Sequence, residues 1–335
     1  MKAFEPIQIH KMKIDNKIGV APMCTYLCDS KDGVANEFHM VHYSNLALGQ
    51  PGIIIQEATS INDQGYISDF CLGIYRPRQK EELTKLVAMI HRYQSKIGVQ
   101  LNHAGKKSKR SNITKIGPMD EEGVVGASQE EIKKIIDEFA AAAKSARNIG
   151  YDFVEIHAAH GYLINQFLSP ITNQRTDEYG QDRFLLLKEV IMVVKHEFDG
   201  PVSVRISADE YEANGNTIED SIITAKKCEQ LGVSMMNISS GAFAGTPFDP
   251  YPLYQVKLAQ AIKEAISIPV ATAGLISTIE EIEGILNNDQ ADIILLGRKL
   301  LIDPYFVLKE KYKAGLILQG DVNNYMYRGL KTLDE

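Results

Sequence analysis

Residues 18–24 read Ile-Gly-Val-Ala-Pro-Met-Cys, a short apolar run that passes into a turn without a glycine-rich loop. A doubly wound dinucleotide-binding sheet needs the pattern Gly-x-Gly-x-x-Gly directly after its first strand. The first strand of this chain therefore disfavours that fold, although the run itself is typical of a buried parallel strand.

Seven further apolar runs follow, and longer amphipathic segments alternate with them. The eight predicted strands are 18–23, 53–58, 97–101, 153–157, 202–206, 235–239, 270–273 and 293–296. The predicted helices are 38–48, 81–94, 132–148, 183–197, 217–231, 254–265 and 278–287, with one more opened by Asp303 as N-cap and Pro304 as its first residue. Eight strand–helix units in order predict a closed parallel (β/α)8 TIM barrel of the α/β class. We expect a single domain over residues 1–335, with an excursion over the barrel top at 104–127 and a C-terminal tail at 313–335.

The composition is that of an ordinary globular protein, with 335 residues, 44% of them hydrophobic and 24% charged. A chain of this length buries a large core without disulfide or metal staples. Its four cysteines form no Cys-x-x-Cys pair, so we expect no structural zinc, no iron–sulfur cluster and no other bound metal.

The apolar runs are far shorter than the ~18 residues of a membrane span, and residues 1–19 lack the apolar core of a signal peptide. We therefore expect a cytoplasmic protein with no membrane partner. The formal net charge of −7 argues against general nucleic-acid binding. One basic run at 106–110 departs from this trend, and it is either a solvated loop or a contact to an anionic group such as a nucleotide phosphate.

Most unusual polar residues fall where the predicted strands end. In a barrel of this class, chemistry takes place at the carboxyl ends of the strands. The residues in strand order are Cys24, Tyr26, Glu57, Gln100, His103, His157, His160, Tyr162, Arg205, Ser239, Ser240, Gly241, Gly274, Gly297 and Arg298. Their convergence on one rim predicts an active site there.

Gly274 and the pair Gly297-Arg298 follow the seventh and eighth strands, the common position of a phosphate site in such barrels. Glycine lets backbone N–H groups approach phosphate oxygens, and arginine adds a bidentate contact. The alternative is that these glycines serve only the turns between strand and helix.

Arg205 and Gln100 lie inside predicted strands, where a polar side chain must be paired or answered by a ligand. Arg205 either forms an internal ion pair or places a permanent cation beside a group that becomes anionic, as a reduced flavin ring does. Gln100 either links two strands or offers its donors and acceptor to the edge of a pyrimidine-like ring.

His157, His160 and Tyr162 come together after the fourth predicted strand. Two imidazoles can donate hydrogen bonds to one substrate oxygen that becomes negative in the transition state. A phenol with a pKa near ~10 stays protonated at neutral pH and can donate a proton to a carbanion. The alternatives are a metal pair, which lacks a third ligand nearby in sequence, or ordinary buried structural residues.

Five segments resemble the Old Yellow Enzyme family of FMN-dependent ene-reductases, and the match covers essentially the whole chain in order. They are Ala-Pro-Met-Cys-Thr-Tyr at 21–26, Gln-Leu-Asn-His-Ala-Gly at 100–105, Glu-Ile-His-Ala-Ala-His-Gly-Tyr-Leu-Ile-Asn-Gln-Phe-Leu-Ser-Pro at 155–170, Thr-Asn-Gln-Arg-Thr-Asp-Glu-Tyr-Gly at 172–180 and Leu-Gly-Arg at 296–298. Cys24 resembles the flavin-tuning cysteine of a bacterial subclass.

The resemblance implies a role for each matching position. Residues around the flavin ring would be Ala21, Pro22, Met23, Cys24, Ala58, Gln100 and Arg205, and the phosphate would be held by Gly274, Gly297 and Arg298. His157 and His160 would bind the substrate oxygen, Tyr162 would donate the proton, and Tyr26 would lie over the substrate. Arg328 resembles an arginine that reaches into a neighbouring subunit's site, which implies a homodimer or homotetramer.

Two departures affect the pocket and the subunit contact rather than the flavin site. The stretch 181–183 is shorter than the family's usual one, and Leu330 stands where an aromatic residue is usual. The resemblance implies bound FMN, NADPH or NADH as hydride donor, and enones, nitro compounds or quinones as small-molecule acceptors. A phosphate-binding aldolase or isomerase and a non-catalytic flavin-binding protein remain alternatives.

Overall fold

The computed structural model describes residues 1–241 and 248–334. Within them, eight parallel strands close into a barrel in the order β3-β4-β5-β8-β9-β10-β11-β12. These strands are β3 (Ile18–Val20), β4 (Ile53–Ser60), β5 (Lys96–Asn102), β8 (Phe153–Ala158), β9 (Val202–Ser207), β10 (Met235–Ser239), β11 (Val270–Thr272) and β12 (Ile293–Leu296). The barrel closes where Gly19 pairs with Leu295, so the predicted (β/α)8 fold is confirmed.

Helices follow the strands and cover the outside of the barrel. They are α1 (Glu37–Leu48), α2 (Pro77–Arg92), α3 (Gln129–Ile149), α4 (Leu163–Leu168), α5 (Glu178–Gln181), α6 (Leu185–Glu197), α7 (Ile218–Gln230), α8 (Val256–Lys263), α9 (Ile279–Asn287), α10 (Arg298–Ile302), α11 (Phe306–Lys313) and α12 (Asn324–Leu330). The start of α3 illustrates how the sequence sets a boundary. The Ser128 side chain accepts from the Glu131 N–H, and the Glu131 carboxylate accepts from the Ser128 N–H.

The predicted cap at Asp303 is wrong. Helix α11 begins at Phe306, and Asp303 instead ends the short helix α10. The Asp303 carboxylate binds the Lys309 ammonium rather than the first backbone N–H groups of α11. The ion pair with Lys309 therefore takes the Asp303 carboxylate that an N-cap would need.

Two antiparallel strands, β1 (Ile7–Ile9) and β2 (Met12–Ile14), plug the amino-end opening of the barrel. Their side chains Ile9, Met12 and Ile14 cluster with Ile53 and Phe153 near the first residues of β4 and β8. Apolar side chains therefore fill the amino end of the barrel interior, and the buried polar side chains lie nearer the carboxyl ends of the strands.

The segment 104–127 contains a 3₁₀ helix at Gly105–Lys107 and two short parallel strands, β6 (Lys115–Gly117) and β7 (Val124–Gly126). In the tail, α12 packs through Leu330 against Leu308 and Ile317. Of the helices in the described part of the chain, none combines the length and apolar character that crossing a membrane requires.

Candidate active site

A buried carboxylate organises the upper interior of the barrel. Glu155 accepts hydrogen bonds from Gln100 Nε2 at 2.8 Å, Asn237 Nδ2 at 2.8 Å and Ser203 Oγ at 3.1 Å, so it joins four strands. Burial raises the pKa of Glu155, and the nearby cation Arg205 acts in the opposite direction. Gln100 Nε2 therefore links two strands, and the flavin contact of Gln100 stays a prediction.

Arg205 lies two residues nearer the rim than the register position of this carboxylate, paired across the sheet with His157 on β8 and Asn237 on β10. Its Nε is buried, and among the described residues it has no hydrogen-bond partner. An unsatisfied buried donor of this kind costs about 1–3 kcal/mol unless a ligand accepts from it. Arg205 also lines a cavity, so a ligand in that cavity can supply the acceptor.

This cavity has a volume of 310 Å³ and opens at the carboxyl ends of the strands. The predicted cofactor residues that line it are Ala21, Pro22, Met23, Arg205, Gly274, Gly297 and Arg298, together with His160. Lys299 adds a further cation, and the described lining residues include no acid. A cavity with this charge favours an anionic ligand such as a phosphate ester.

The two predicted phosphate glycines leave room that a side chain would take. Gly274 has φ +117°, and a Cβ there would lie 3.2 Å from the backbone nitrogen of Gln255. A Cβ on Gly297 would lie 3.3 Å from Met23 Sδ. The cavity therefore fits the phosphate end and the ring edge of FMN. Arg205 Nε, which has no partner among the described residues, is the donor available to the ring edge.

His157 and His160 meet at the edge of the same cavity. His157 Nε2 lies 3.3 Å from His160 Nδ1, and His160 Nε2 lies 2.6 Å from Ser239 Oγ. Burial and the charge of Arg205 hold the pKa of both imidazoles well below the usual value, so both are neutral at pH 7. His160 also has φ +60°, an uncommon conformation for a residue other than glycine, and such strain often marks functional sites.

Tyr162 connects the histidine pair to a small apolar cluster. Its ring centroid lies 4.9 Å from that of His157, in an edge-to-face arrangement. It packs together with Cys24 against a cluster that includes Ala58 and Cys71. Burial raises the pKa of Tyr162 above its usual value, so the phenol is protonated throughout the neutral range.

Tyr26 lies beside Cys24, is 45% exposed and has φ +55°.

In the basic run at 106–110, Lys106 pairs with Glu121 at 3.0 Å and Arg110 pairs with Asp63 at 3.0 Å. Lys107 instead reaches the rim, where its Nζ donates to the His160 carbonyl at 2.8 Å. The run is thus partly a paired surface loop and partly a rim contact.

Arg328 does not join the rim in its own chain. It lies exposed on α12. The neighbouring residues Asn323 and Met326 line a cavity with Gly52 and Lys96, at the amino ends of the strands. Among the described residues, no cluster of three or more potential metal ligands occurs.

Sequence reasoning missed several residues that shape this site. Glu155 stands as a lone acid in a predicted apolar strand, and the sequence indicates no partner for it. Ser239 ends a predicted strand and Gln255 lies in a predicted helix, so neither position indicates that the two side chains meet. Cys71 lies in a segment without a regular pattern. Gln255 Nε2 donates to Ser239 Oγ at 2.9 Å, and Cys71 belongs to the apolar cluster against which Cys24 packs.

A closed parallel barrel with a cationic, glycine-lined cavity and a histidine pair at its carboxyl-end rim defines a cofactor-binding barrel enzyme. Residues 2–317 match the NADH:flavin oxidoreductase / NADH oxidase family, and the chain belongs to this family. The predicted class, an NAD(P)H-dependent flavin oxidoreductase of the Old Yellow Enzyme type with FMN as cofactor, is confirmed by this membership.

Individual relatives agree with the family assignment. The NADPH dehydrogenase of Bacillus velezensis is 44% identical over 313 residues, which cover 91% of this chain and 93% of that protein. The NADPH dehydrogenase of Bacillus subtilis is 42% identical, with the same coverage of 91% and 93%. The old yellow enzyme homologue from Zymomonas mobilis superposes with a TM-score of 0.81 at 27% identity, covering 96% of this chain and 95% of that one. Morphinone reductase shares the fold, with a TM-score of 0.79 at 23% identity over 94% of this chain and 90% of that one.

Proposed function

We propose that this protein reduces the activated C=C bonds of enones and related acceptors, with nitro compounds and quinones as further substrates. The observation that carries the proposal is the pair of neutral imidazoles, His157 and His160, beside the partly buried phenol of Tyr162. FMN, when bound, supplies the hydride that it receives from NADPH or NADH. The protein's own residues bind the acceptor, polarise it and deliver a proton.

The hydrogen-bond partners of His157 define its tautomer. The backbone N–H of Ala159 can only donate, and it lies 3.3 Å from His157 Nδ1. His157 Nδ1 therefore accepts, and the single proton of the neutral ring resides on Nε2. That N–H is directed towards His160.

A second relay orients His160. Ser239 Oγ accepts from Gln255 Nε2 at 2.9 Å and lies 2.6 Å from His160 Nε2. Without substrate, His157 Nε2–H donates to His160 Nδ1 at 3.3 Å. We propose that a bound carbonyl, nitro or phenolate oxygen takes the place of this acceptor. The His160 proton then resides on Nδ1, both imidazoles donate to the substrate oxygen, and the Ser239 O–H donates to His160 Nε2.

Tyr162 is the proposed proton donor to the α-carbon of the acceptor. Its burial keeps the phenol protonated, and the cation Arg205 acts through charge to favour the phenolate that remains after transfer. Tyr26, exposed beside Cys24, is proposed to cover the substrate.

The proposed flavin contacts are those named from the sequence. Ala21, Pro22, Met23, Cys24, Ala58, Gln100 and Arg205 surround the ring, and Gly274, Gly297 and Arg298 hold the phosphate. Seven of these ten residues line the 310 Å³ cavity, which supports the assignment. The cationic lining also suits a sugar phosphate, but family membership disfavours the aldolase or isomerase alternative.

Homo-oligomerisation, as a dimer or tetramer, is part of the proposal. The support is the position of Arg328 on the exposed face of α12, at the end of the barrel opposite the rim. Its guanidinium is proposed to serve another subunit's site. The cytoplasmic location stays a prediction.

An anaerobic half-reaction experiment tests the proposed function. The purified protein is reduced with NADPH and then mixed with 2-cyclohexenone, and the flavin absorbance band is followed together with the product. We expect the band to return and cyclohexanone to form, whereas 2-cyclohexenol, which lacks the carbonyl, should leave the flavin reduced. Flavin that NADPH reduces but that no enone, nitroalkene or quinone reoxidises would contradict the proposal and support a non-catalytic binding role.

A substitution at Ser239 tests the tautomer relay. We expect Ser239→Ala to weaken the binding of phenols, which mimic an enolate oxygen, by about tenfold, because His160 loses the donor that keeps its proton on Nδ1. The measurement is a titration of the flavin charge-transfer band with 4-hydroxybenzaldehyde. Ser203→Ala is the matched control, since that hydroxyl binds Glu155 and not a histidine. Equal phenol affinity in Ser239→Ala and wild type would show that Ser239 does not orient His160.

A further inference from the structure

Two cysteines far apart in sequence meet at the rim of the barrel. Cys24 follows β3, and Cys71 lies in the irregular connection between β4 and α2. Cys71 is 1% exposed in the cluster formed with Ala58, and the partly exposed Cys24 packs against this cluster. Each thiol shifts the pKa of the other.

The other two cysteines have different surroundings. The Cys28 thiol donates to the Val34 carbonyl at 3.3 Å and to Asp32 at 3.5 Å. Burial raises the pKa of Cys28 to about 11 and that of Cys228 to about 12. Cys24 therefore pairs with Cys71, against whose cluster it packs, and not with Cys28, which is nearer to it in sequence.

The contact divides the acidity of the two thiols. The neighbouring Cys24 side chain, with help from Ser68, lowers the pKa of Cys71 to about 7 despite its burial. The same contact, burial and the charge of Glu57 raise the pKa of Cys24. The pair therefore loses one proton near neutral pH and retains the other, which is the behaviour of reactive dithiols.

We propose that Cys24 and Cys71 form a redox pair that a peroxide oxidises to a reversible disulfide. The thiolate of the pair attacks one peroxide oxygen, the O–O bond breaks, and the sulfur becomes a sulfenic acid while hydroxide leaves. The second thiol then displaces the sulfenic oxygen as water, and the S–S bond forms. Two thiols lose two protons and two electrons, and one hydrogen peroxide takes them up to become two waters.

Both residues lie in irregular connections rather than in strands or helices. The consequence for the cofactor rests on the proposed function, because only there does Cys24 contact the flavin. In the disulfide, Cys24 would have no S–H or thiolate to offer the flavin edge. Formation of the disulfide itself does not depend on turnover.

Thiol mapping of the holoenzyme tests the proposal independently of activity. The protein is exposed to increasing hydrogen peroxide, quenched with N-ethylmaleimide and digested without reductant, and its peptides are identified by mass spectrometry. We expect two of the four thiols to escape alkylation, a mass loss of two hydrogens, and one cross-linked peptide that joins Cys24 to Cys71. Dithiothreitol should restore all four thiols.

Single variants separate this pair from the other possible links. Cys228→Ser is the matched control and should form the same cross-link as the wild type. Cys71→Ser should form no cross-link. A link between Cys24 and Cys28, or only oxygen adducts in the wild type, would overturn the proposal, and so would four unchanged thiols at high peroxide.

Discussion

Tyr162→Phe should slow reoxidation of the reduced enzyme by 2-cyclohexenone by about 100- to 10,000-fold, the usual contribution of a positioned proton donor. Reduction by NADPH should stay near the wild-type rate, because the substitution removes only the hydroxyl and keeps the ring against His157. The two half-reactions are measured separately by anaerobic stopped-flow absorbance.

Two controls make this result specific to proton transfer at carbon. A quinone acceptor needs no proton at carbon, so its reduction by Tyr162→Phe should remain close to normal. Tyr179→Phe removes the hydroxyl of another tyrosine, which donates to the Glu189 carboxylate at 2.9 Å and contacts no histidine of the site. This variant should not alter either half-reaction. If Tyr162→Phe slowed both half-reactions equally, the phenol would be a structural residue and not the proton donor.

The barrel was predictable because its signal is local. Each predicted strand is a short apolar run, and β10 and β12 have the predicted bounds. The rim residues then followed from a geometric rule, since all parallel strands end on the same side of a closed sheet. The β1–β2 plug gave no comparable signal, because its strands, Ile-Gln-Ile and Met-Lys-Ile, each place a polar residue between two apolar ones.

The parts that escaped prediction depend on contacts between distant segments. The tautomer of His160 depends on Ser239, the last residue of β10, and on Gln255, the residue that directly precedes α8. The meeting of Cys24 and Cys71 depends on the path of the connection after β4. No periodicity encodes such paths, because they arise from tertiary packing of irregular backbone.

Arg205→Met should lower FMN affinity by roughly 30-fold to several-thousand-fold, the effect of about 2–5 kcal/mol for one partner of a buried charged contact. The reason is that Arg205 lines the cofactor cavity with a buried Nε that has no partner within the described protein. Affinity is measured by quenching of FMN fluorescence. Arg205→Lys keeps the charge but loses the planar donors, so its affinity should lie between those of wild type and Arg205→Met.

The same substitution should make stability more sensitive to pH. Burial already raises the pKa of Glu155, and Arg205 opposes that rise, so its removal raises the pKa further. A carboxyl whose pKa is higher in the folded state binds more protons there than in the unfolded chain. Stability is then lost as pH rises from the unfolded pKa through the folded one. Urea unfolding of the FMN-free proteins should show a larger deficit of Arg205→Met relative to wild type at pH 8 than at pH 5.

The double variant Arg205→Met/Glu155→Gln separates the structural role of Arg205 from its cofactor role. The amide that Glu155→Gln introduces keeps hydrogen-bonding capacity towards Asn237 and Ser203 but carries no buried charge, so the extra pH-dependent deficit should disappear. FMN affinity should not recover, because the donor facing the cavity is still absent. Recovery of both properties would mean that Arg205 serves only to neutralise Glu155, and the assignment of its guanidinium to the flavin ring would be wrong.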